Sequence, residues 1–180
     1  DGFAEPRDAV GRRRTLGVPE GAVVVDGAGV TAAELGALIA ALGREVPEAP
    51  VVVLDAPPDA EGVGSAVLAP AVDAADRASA IASASVLVAP GVLPSYGWRV
   101  LEALALGVPV IAAASPVHRE LVGEGGPVIE GGADALATSV APLLGPDAER
   151  RRAATLAADR GRAFSWRDAG ERVWQLHADL

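Results

Sequence analysis

The chain has 180 residues, 51% of them hydrophobic but only 3% aromatic, and a formal net charge of −9 at pH 7. This length suits one domain with an aliphatic core, and the acidic charge argues against a surface that binds nucleic acid. The absence of cysteine excludes disulfides and thiolate metal sites, and the two histidines lie too far apart in sequence to suggest a metal centre.

Short apolar runs alternate with helical patterns along the chain, which is typical of a parallel sheet wrapped by helices. Because the runs are continuously apolar rather than alternating, we expect the strands to be buried on both faces. The predicted strands are residues 22–25, 51–54, a weaker one within 63–68, 86–88, 110–112 and 128–129. We therefore predict an α/β fold, a Rossmann-like doubly wound parallel sheet of about six strands, with ligand beyond the carboxyl ends of the strands.

Capping patterns and apolar spacing predict the helices. Thr31 and Glu34 have the spacing of a capping box, followed by apolar residues at i, i+3, i+4 and i+7. Further helices are predicted over 73–83, from 97 to Gly107, after Ser115, and through most of the chain from 134, where Pro142 should bend or end a helix.

The last helix begins with a second capping pattern, Ser165 to Asp168. Its apolar residues Ala169, Val173, Leu176 and Leu180 are predicted to face the core. Trp98 and Trp166 are predicted to fill the core, and Trp174, off that stripe, to face a missing lobe. Residues 1–20 are predicted to form an interdomain hinge or linker and residues 21–180 the domain.

Residues 86–110 contain the candidate site, a strand, a small-residue loop, a helix and a strand. A helix beginning at Ser95–Gly97 would present unpaired N–H groups and a positive dipole end to a diphosphate, and Gly97 would allow close approach. Glu102 lies on an otherwise apolar helix, where a buried carboxylate needs partners. It could accept hydrogen bonds from two ribose hydroxyls, or it could cap or ion-pair on a partly exposed face.

Several segments, in chain order, resemble one known family. They are Asp1-Gly2-Phe3 with Leu16-Gly17-Val18, Leu101-Glu102-Ala103 with Ala105 to Ile111, Glu120 to Gly123, and Phe164-Ser165-Trp166. This pattern is similar to the C-terminal domain of family 4 (group 1) retaining glycosyltransferases, which have a GT-B architecture of two Rossmann-like lobes. The resemblance implies an enzyme that transfers a sugar from a UDP-, GDP- or ADP-linked donor to an acceptor.

The resemblance also implies the roles of individual residues. Glu102 would hold the nucleotide ribose, and Gly27 would line the phosphate pocket. The base would lie near Asp55 and residues 69–70. The diphosphate would lie on the backbone of four consecutive residues, Ser95, Tyr96, Gly97 and Trp98. No catalytic residue, cofactor or metal is assigned, and this domain alone should transfer nothing without the N-terminal lobe of the same protein.

Three departures from the family pattern bear on activity. Pro94 stands where the first motif glutamate contacts the donor sugar, Ala28 stands where an arginine follows the loop glycine, and the chain has no lysine. Arg99 or Arg119 could replace the missing cations, and the sequence does not choose between them. A degenerate, non-catalytic binding or scaffold domain is therefore the alternative. A nucleotide-sugar epimerase would share the architecture but not the late Phe-Ser-Trp motif.

General sequence patterns predict the environment of His118 and Tyr96, the cellular location and the source of the protein. His118 is predicted to be a surface group rather than a base, and Tyr96 either stacks on a ligand or plugs its loop. No stretch reaches the roughly 18 apolar residues of a transmembrane helix and no signal peptide pattern opens the chain, so we expect a cytoplasmic protein. Abundant Arg, Ala, Gly, Val and Pro, which GC-rich codons encode, suggest a bacterial source.

Overall fold

The sheet is the centre of the molecule. The computed structural model describes residues 4–60, 63–69, 73–91, 97–145 and 147–178. Within them, six strands pair in parallel in the order β3-β2-β1-β4-β5-β6. The strands are β1 (Val23–Asp26), β2 (Val51–Leu54), β3 (Val67–Leu68), β4 (Val86–Ala89), β5 (Val110–Ala113) and β6 (Val128–Ile129). This architecture confirms the predicted doubly wound parallel sheet.

The helices flank the sheet on both faces. They are α1 (Ala9–Leu16), α2 (Ala32–Glu45), α3 (Ala74–Ala82), α4 (Trp98–Ala105), α5 (Pro116–Val122), α6 (Ala133–Thr138), α7 (Ala141–Leu144), α8 (Asp147–Arg162) and α9 (Trp166–Ala178). The capping box of Thr31 and Glu34 is present, and Ser115 accepts a hydrogen bond from the His118 amide. Pro142 lies in the first turn of α7, so the helix ends before it as predicted.

The sheet separates two apolar cores because successive strand side chains point to opposite faces. Val24, Leu87 and Val110 pack with apolar residues of α3, α4, α5 and α8 on one face. Val25 and Ile111 pack with α2 and α6 on the other. Both faces of the strands are therefore buried, which explains their continuously apolar sequence.

Residues 4–20, the described part of the predicted linker, pack against the domain. They contain α1, and Val18 belongs to the core on the α3 side of the sheet. The Arg12 guanidinium lies 2.8 Å from a carboxylate oxygen of Asp76 on α3 and also contacts Asp73 and Asp8. These ion pairs attach α1 to the amino-terminal end of α3.

The position of α9 contradicts part of the sequence interpretation. The Ser165 hydroxyl does accept a hydrogen bond from the Asp168 amide, as the capping pattern predicted. However, none of the residues of α9 is buried, and Val173 and Leu176, predicted to face the core, are more than half exposed. The prediction was wrong because amphipathic spacing shows which side of a helix is apolar but not whether anything covers that side.

The same correction applies to Trp98 and Trp166. Both were predicted to fill the core, and both are largely exposed. Instead they stack on each other, with ring centroids 6.1 Å apart and ring planes 27° from parallel. The stack joins the beginning of α4 to the beginning of α9.

Candidate functional site

The strand order reverses between β1 and β4, and the space beyond the carboxyl ends of these strands is called the crevice below. The chain moves outward through β2 and β3 on one side and through β5 and β6 on the other, so the loops that follow β1 and β4 diverge. They still approach closely at one point, because a side chain on Gly91 would lie 2.7 Å from the Ala28 carbonyl oxygen. Ligands of open α/β sheets bind beyond the carboxyl ends of the strands, at the position where the strand order reverses.

Gly27 lies at the edge of this crevice and is buried. Its amide donates a hydrogen bond to the Leu54 carbonyl oxygen at 2.8 Å. A side chain at this position would lie 2.9 Å from that oxygen and 3.0 Å from the carbonyl oxygen of Asp55. The close approach to the end of β2 accounts for the glycine, and its role in a phosphate pocket remains a prediction.

The beginning of α4 has the predicted form. Gly97 is its N-cap residue, with a φ of 70°, and a side chain there would lie 2.7 Å from a methyl carbon of Leu121. Glycine therefore satisfies both the left-handed backbone and the contact with α5. Trp98 begins the helix. Ser95 and Tyr96, together with Pro94, lie outside the described residues.

Glu102 is the buried carboxylate of α4, with 2% of its surface exposed. Its Oε2 accepts a hydrogen bond from Nε of Arg77 on α3 at 3.0 Å. An ion pair was one of the two interpretations left open by the sequence, but it is buried between helices rather than on an exposed face. A carboxylate has about four acceptor positions, so this contact leaves room for further donors.

The sequence interpretation missed a polar cluster at the carboxyl ends of β1 and β2. Asp55 Oδ2 accepts hydrogen bonds from Arg99 on α4, at 3.0 Å from Nε and 2.5 Å from Nη2. Asp55 has a φ of 51°, which aspartate tolerates better than most residues. Asp26 and Asp55 each end or follow a strand, and neighbouring parallel strands end at the same edge, so their proximity could have been predicted.

Asp26 is the most perturbed carboxyl of this cluster. Burial raises its pKa, although its hydrogen bond from the Ala28 amide, at 3.1 Å, and the nearby charge of Arg99 act in the opposite direction. The charge of Asp55 adds to the increase. The crevice therefore contains two carboxyl groups around one arginine.

His118 also belongs to this region, and its prediction as a surface group was wrong. The side chain is buried, and its Nδ1 lies 2.7 Å from the carbonyl oxygen of Ala113 at the end of β5. Because a carbonyl oxygen only accepts, Nδ1 is the protonated nitrogen in this contact. The histidine is buried because α5 begins directly beyond β5, so its first turn lies over the sheet edge.

Arg99 and Arg119, the two candidates to replace the cations that the family pattern places at the diphosphate, lie in different regions. Arg99 lies in the first turn of α4, mostly buried, beside Asp55 after β2 and near Asp26 at the end of β1. Arg119 on α5 is more than half exposed and pairs with Glu130, which follows β6. The structure therefore places Arg99, and not Arg119, in the crevice.

A cavity of about 420 Å³ adjoins the same loops on the opposite helical layer. It lies between the beginnings of α2 and α6, and Val30, Glu34, Pro90 and Glu130 contribute to its wall. Glu34 is engaged in the capping box with Thr31, and Glu130 pairs with Arg119. Among the described residues, no group of three or more metal-ligating side chains lies close enough to hold a metal, and no helix has the length and apolarity to cross a membrane.

Residues 47–145, over half of the chain, match the family model described as glycosyl transferases group 1. The chain belongs to the group 1 glycosyl transferases. This membership is consistent with the resemblance seen in the Gly97-to-Ile111 segment and with the crevice at the strand-order reversal.

Comparisons with individual proteins show how much of a longer protein the chain resembles. A phosphatidyl-myo-inositol mannosyltransferase of Mycobacterium leprae is 32% identical over 110 residues, which is 59% of this chain and 29% of that protein. The structure of Anabaena HepE in complex with UDP has a TM-score of 0.80 and 21% identity, over 99% of this chain and 54% of that one.

A further similar structure, described as a group 1 glycosyl transferase, has nearly the same extent as this chain. The structure of the C-terminal domain of LpcC from Francisella tularensis has a TM-score of 0.68 and 17% identity, covering 89% of this chain and 94% of that one. At such identities the structural likeness shows the fold alone. The chain spans about half of HepE and less than a third of the mannosyltransferase.

Proposed function

We propose that the chain is the C-terminal, donor-binding domain of a two-lobed family 4 glycosyltransferase. It would bind a nucleotide-diphosphate sugar whose sugar is transferred to an acceptor with retention of anomeric configuration. The observation that carries this proposal is the reversal of strand order between β1 and β4, where Asp26 and Asp55 lie near Arg99 in the first turn of α4 and Glu102 lies one turn further along that helix. A nucleotide diphosphate fits this arrangement of helix amides, glycines and carboxylate.

The relatives support the ligand class and the extent of the domain. Structures of HepE are described as complexes with UDP and with UDP-glucose, and the Mycobacterium leprae relative is a mannosyltransferase. The LpcC structure is described as a C-terminal domain and is matched over nearly its whole length. In this proposal the N-terminal lobe is the partner, the protein is cytoplasmic, and UDP, GDP and ADP are all candidate nucleotides.

Each side of the nucleotide would meet a different group. Glu102 would accept the ribose hydroxyls, while amides of the first turn of α4 and the loop at Gly27 would meet the diphosphate. Arg99 would supply the positive charge, because it lies in the first turn of α4. Neutralising the charge of a leaving diphosphate is one of the larger catalytic effects available to such a site.

A specific observation supports the second candidate, a non-catalytic binding or scaffold domain. The Asp26 carboxylate already accepts the Ala28 amide, and Asp55 already holds Arg99. With both acids ionised, the cluster carries a net negative charge that opposes a diphosphate. In this alternative the polar groups of the crevice bind one another, and sugar nucleotides do not bind.

Calorimetric titration of the chain with UDP, GDP and ADP distinguishes the two candidates. For the donor-binding domain, one nucleotide should bind, and Glu102→Ala should weaken binding about tenfold or more because hydrogen bonds to a charged acceptor are lost. Glu45→Ala is the control, since Glu45 is exposed at the end of α2 on the opposite face of the sheet. If no nucleotide binds at millimolar concentration, the non-catalytic domain becomes the supported function.

A further inference from the structure

The ion pair between Arg77 and Glu102 is the most buried one among the described residues. The two side chains expose 18% and 3% of their surfaces, and the donor nitrogen Nε lies 3.0 Å from Oε2. They come from α3 and α4, which pack side by side on the same face of the sheet.

Arg77 has nearer acids along its own helix but does not use them. Asp73, one turn before it, caps α3 by accepting the Asp76 amide at 2.7 Å and also contacts Arg12. Asp76 accepts a hydrogen bond from Arg12 at 2.8 Å. Because α1 supplies a separate arginine for both acids, Arg77 is directed towards Glu102 on α4.

This pairing fixes the orientation of the carboxylate. A long glutamate side chain has several rotamers, and burial of its charge without a partner is costly. With Oε2 held by a guanidinium that is itself anchored on α3, the carboxylate has one orientation rather than several. Its other acceptor positions then have fixed directions, which is what two adjacent ribose hydroxyls require.

We propose that Arg77 is the positioning residue of Glu102 and thereby makes the crevice selective for ribonucleotides over 2′-deoxyribonucleotides. This inference rests on the proposed donor-binding function. Arg77 acts through Glu102 and does not contact the nucleotide. Without it, the carboxylate loses its fixed direction and cannot accept both hydroxyls at good geometry.

The test compares the dissociation constants of the chain for ribose and 2′-deoxy nucleoside diphosphates, using UDP with dUDP, GDP with dGDP and ADP with dADP. The wild-type chain should prefer the ribose form about tenfold or more, as expected for a hydrogen bond to a charged acceptor. Arg77→Leu should bring this ratio close to one while affinity for the deoxy form stays nearly unchanged. Arg77→Lys, which keeps the charge but not the planar guanidinium, should be intermediate.

A second comparison remains informative if Arg77→Leu folds poorly. A chain with both Glu102→Gln and Arg77→Leu has neither charge of the buried pair, so the double variant should be tolerated. If Arg77 acts only through Glu102, adding Arg77→Leu to Glu102→Gln should not change nucleotide affinity or the ribose preference further. A further loss of affinity in this background would show direct contact with the nucleotide and overturn the inference.

Arg12→Leu is the matched control, because it also removes an arginine paired with acids of α3, but on the side of α1. Its ribose preference should equal that of the wild type. The inference is overturned if a folded Arg77→Leu keeps the wild-type ratio while Glu102→Ala loses it, or if Arg12→Leu reduces the ratio equally. Failure of the wild-type chain to bind any nucleotide overturns the donor-binding proposal first, and this inference with it.

Discussion

Asp26 shows how one partly buried carboxyl makes the stability of the chain depend on pH. Burial raises its pKa above the ordinary value of 3.8. Between the ordinary and the raised pKa the folded chain holds a proton that the unfolded chain has released. The stability associated with this group is therefore complete at low pH and is lost as pH rises through the folded pKa.

Asp26→Asn should consequently be more stable than the wild type at pH 7, because the amide keeps an oxygen acceptor for Ala28 and carries no charge to bury. The difference in unfolding free energy should disappear below about pH 4, where the wild-type carboxyl is protonated in both states. Urea unfolding of both proteins from pH 3 to 8 measures this difference. Equal stabilities at pH 7 would contradict the dominance of burial over the Arg99 charge.

Arg99 and Arg119 are the two candidates for the cation that neutralises the diphosphate, and the structure places them in different regions. Arg99→Gln should weaken binding of the nucleoside diphosphate about tenfold or more, since a charge-assisted hydrogen bond is lost. Arg119→Gln should leave it unchanged, because that side chain pairs with Glu130 beyond β6. Calorimetry on the two variants decides, and a loss confined to Arg119→Gln would move the diphosphate away from the proposed crevice.

At the scale of residues, the sequence suggested candidate site residues but not the contacts that they make. Glu102 and Gly97 could be selected from the local chemistry of a carboxylate on an apolar helix and of a glycine at a helix start, and Gly27 through the family resemblance. Arg77 could not, because its partner Glu102 lies on a helix whose packing the sequence pattern does not specify, and the burial of His118 against the end of β5 depends on where α5 lies. The side chain at position 77 reads as an ordinary surface arginine until α4 is placed beside it.

Among the elements, α4 and α8 approach each other unusually closely. A side chain on Gly161 of α8 would lie 2.5 Å from the Leu104 carbonyl oxygen of α4. Since a backbone atom cannot rotate away, the two helices would have to separate.

Gly161→Ala should therefore destabilise the chain by about 1–3 kcal/mol, the usual cost of overpacking. The same substitution at Gly36, inside α2 with nothing within 4 Å of the added carbon, should stabilise it by about 0.5–1 kcal/mol. Denaturant unfolding of both variants gives the comparison. Effects of the same sign would mean that α4 and α8 do not pack as closely as described.

Elements with local signals were predicted well, and elements that depend on a partner were not. The capping residues Thr31, Ser115 and Ser165 all accept the expected hydrogen bonds because a cap involves only the neighbouring three residues. The burial of α9 was predicted wrongly, since burial depends on the surroundings of the helix.

For the whole molecule, the sheet and its two helical layers supply the core, and α9 adds an apolar surface outside it. Trp174 is 76% exposed, whereas Leu104 is fully buried between the sheet and α8. In the proposed two-lobed enzyme, the N-terminal lobe is the candidate partner for the exposed face of α9.

Stability measurements on this chain should show the difference between the exposed Trp174 and the buried Leu104. Trp174→Ser should change the unfolding free energy by no more than about 0.5 kcal/mol, as is usual at exposed positions. Leu104→Ala should lower it by about 2–5 kcal/mol through lost burial and a residual cavity. Circular dichroism during urea titration gives both values. A large loss from Trp174→Ser would show that the helix packs against the domain in solution.

The sequence by itself determined the parallel α/β sheet and the positions of most strands and caps. These follow from apolar periodicity, capping chemistry and glycine positions, which operate over a few neighbouring residues. Only the tertiary structure decided that Glu102 pairs with Arg77, that Arg99 lies between Asp55 and Asp26, and that α9 is uncovered. Ion pairing and burial depend on which distant segments meet, and that is set by the packing of the complete chain.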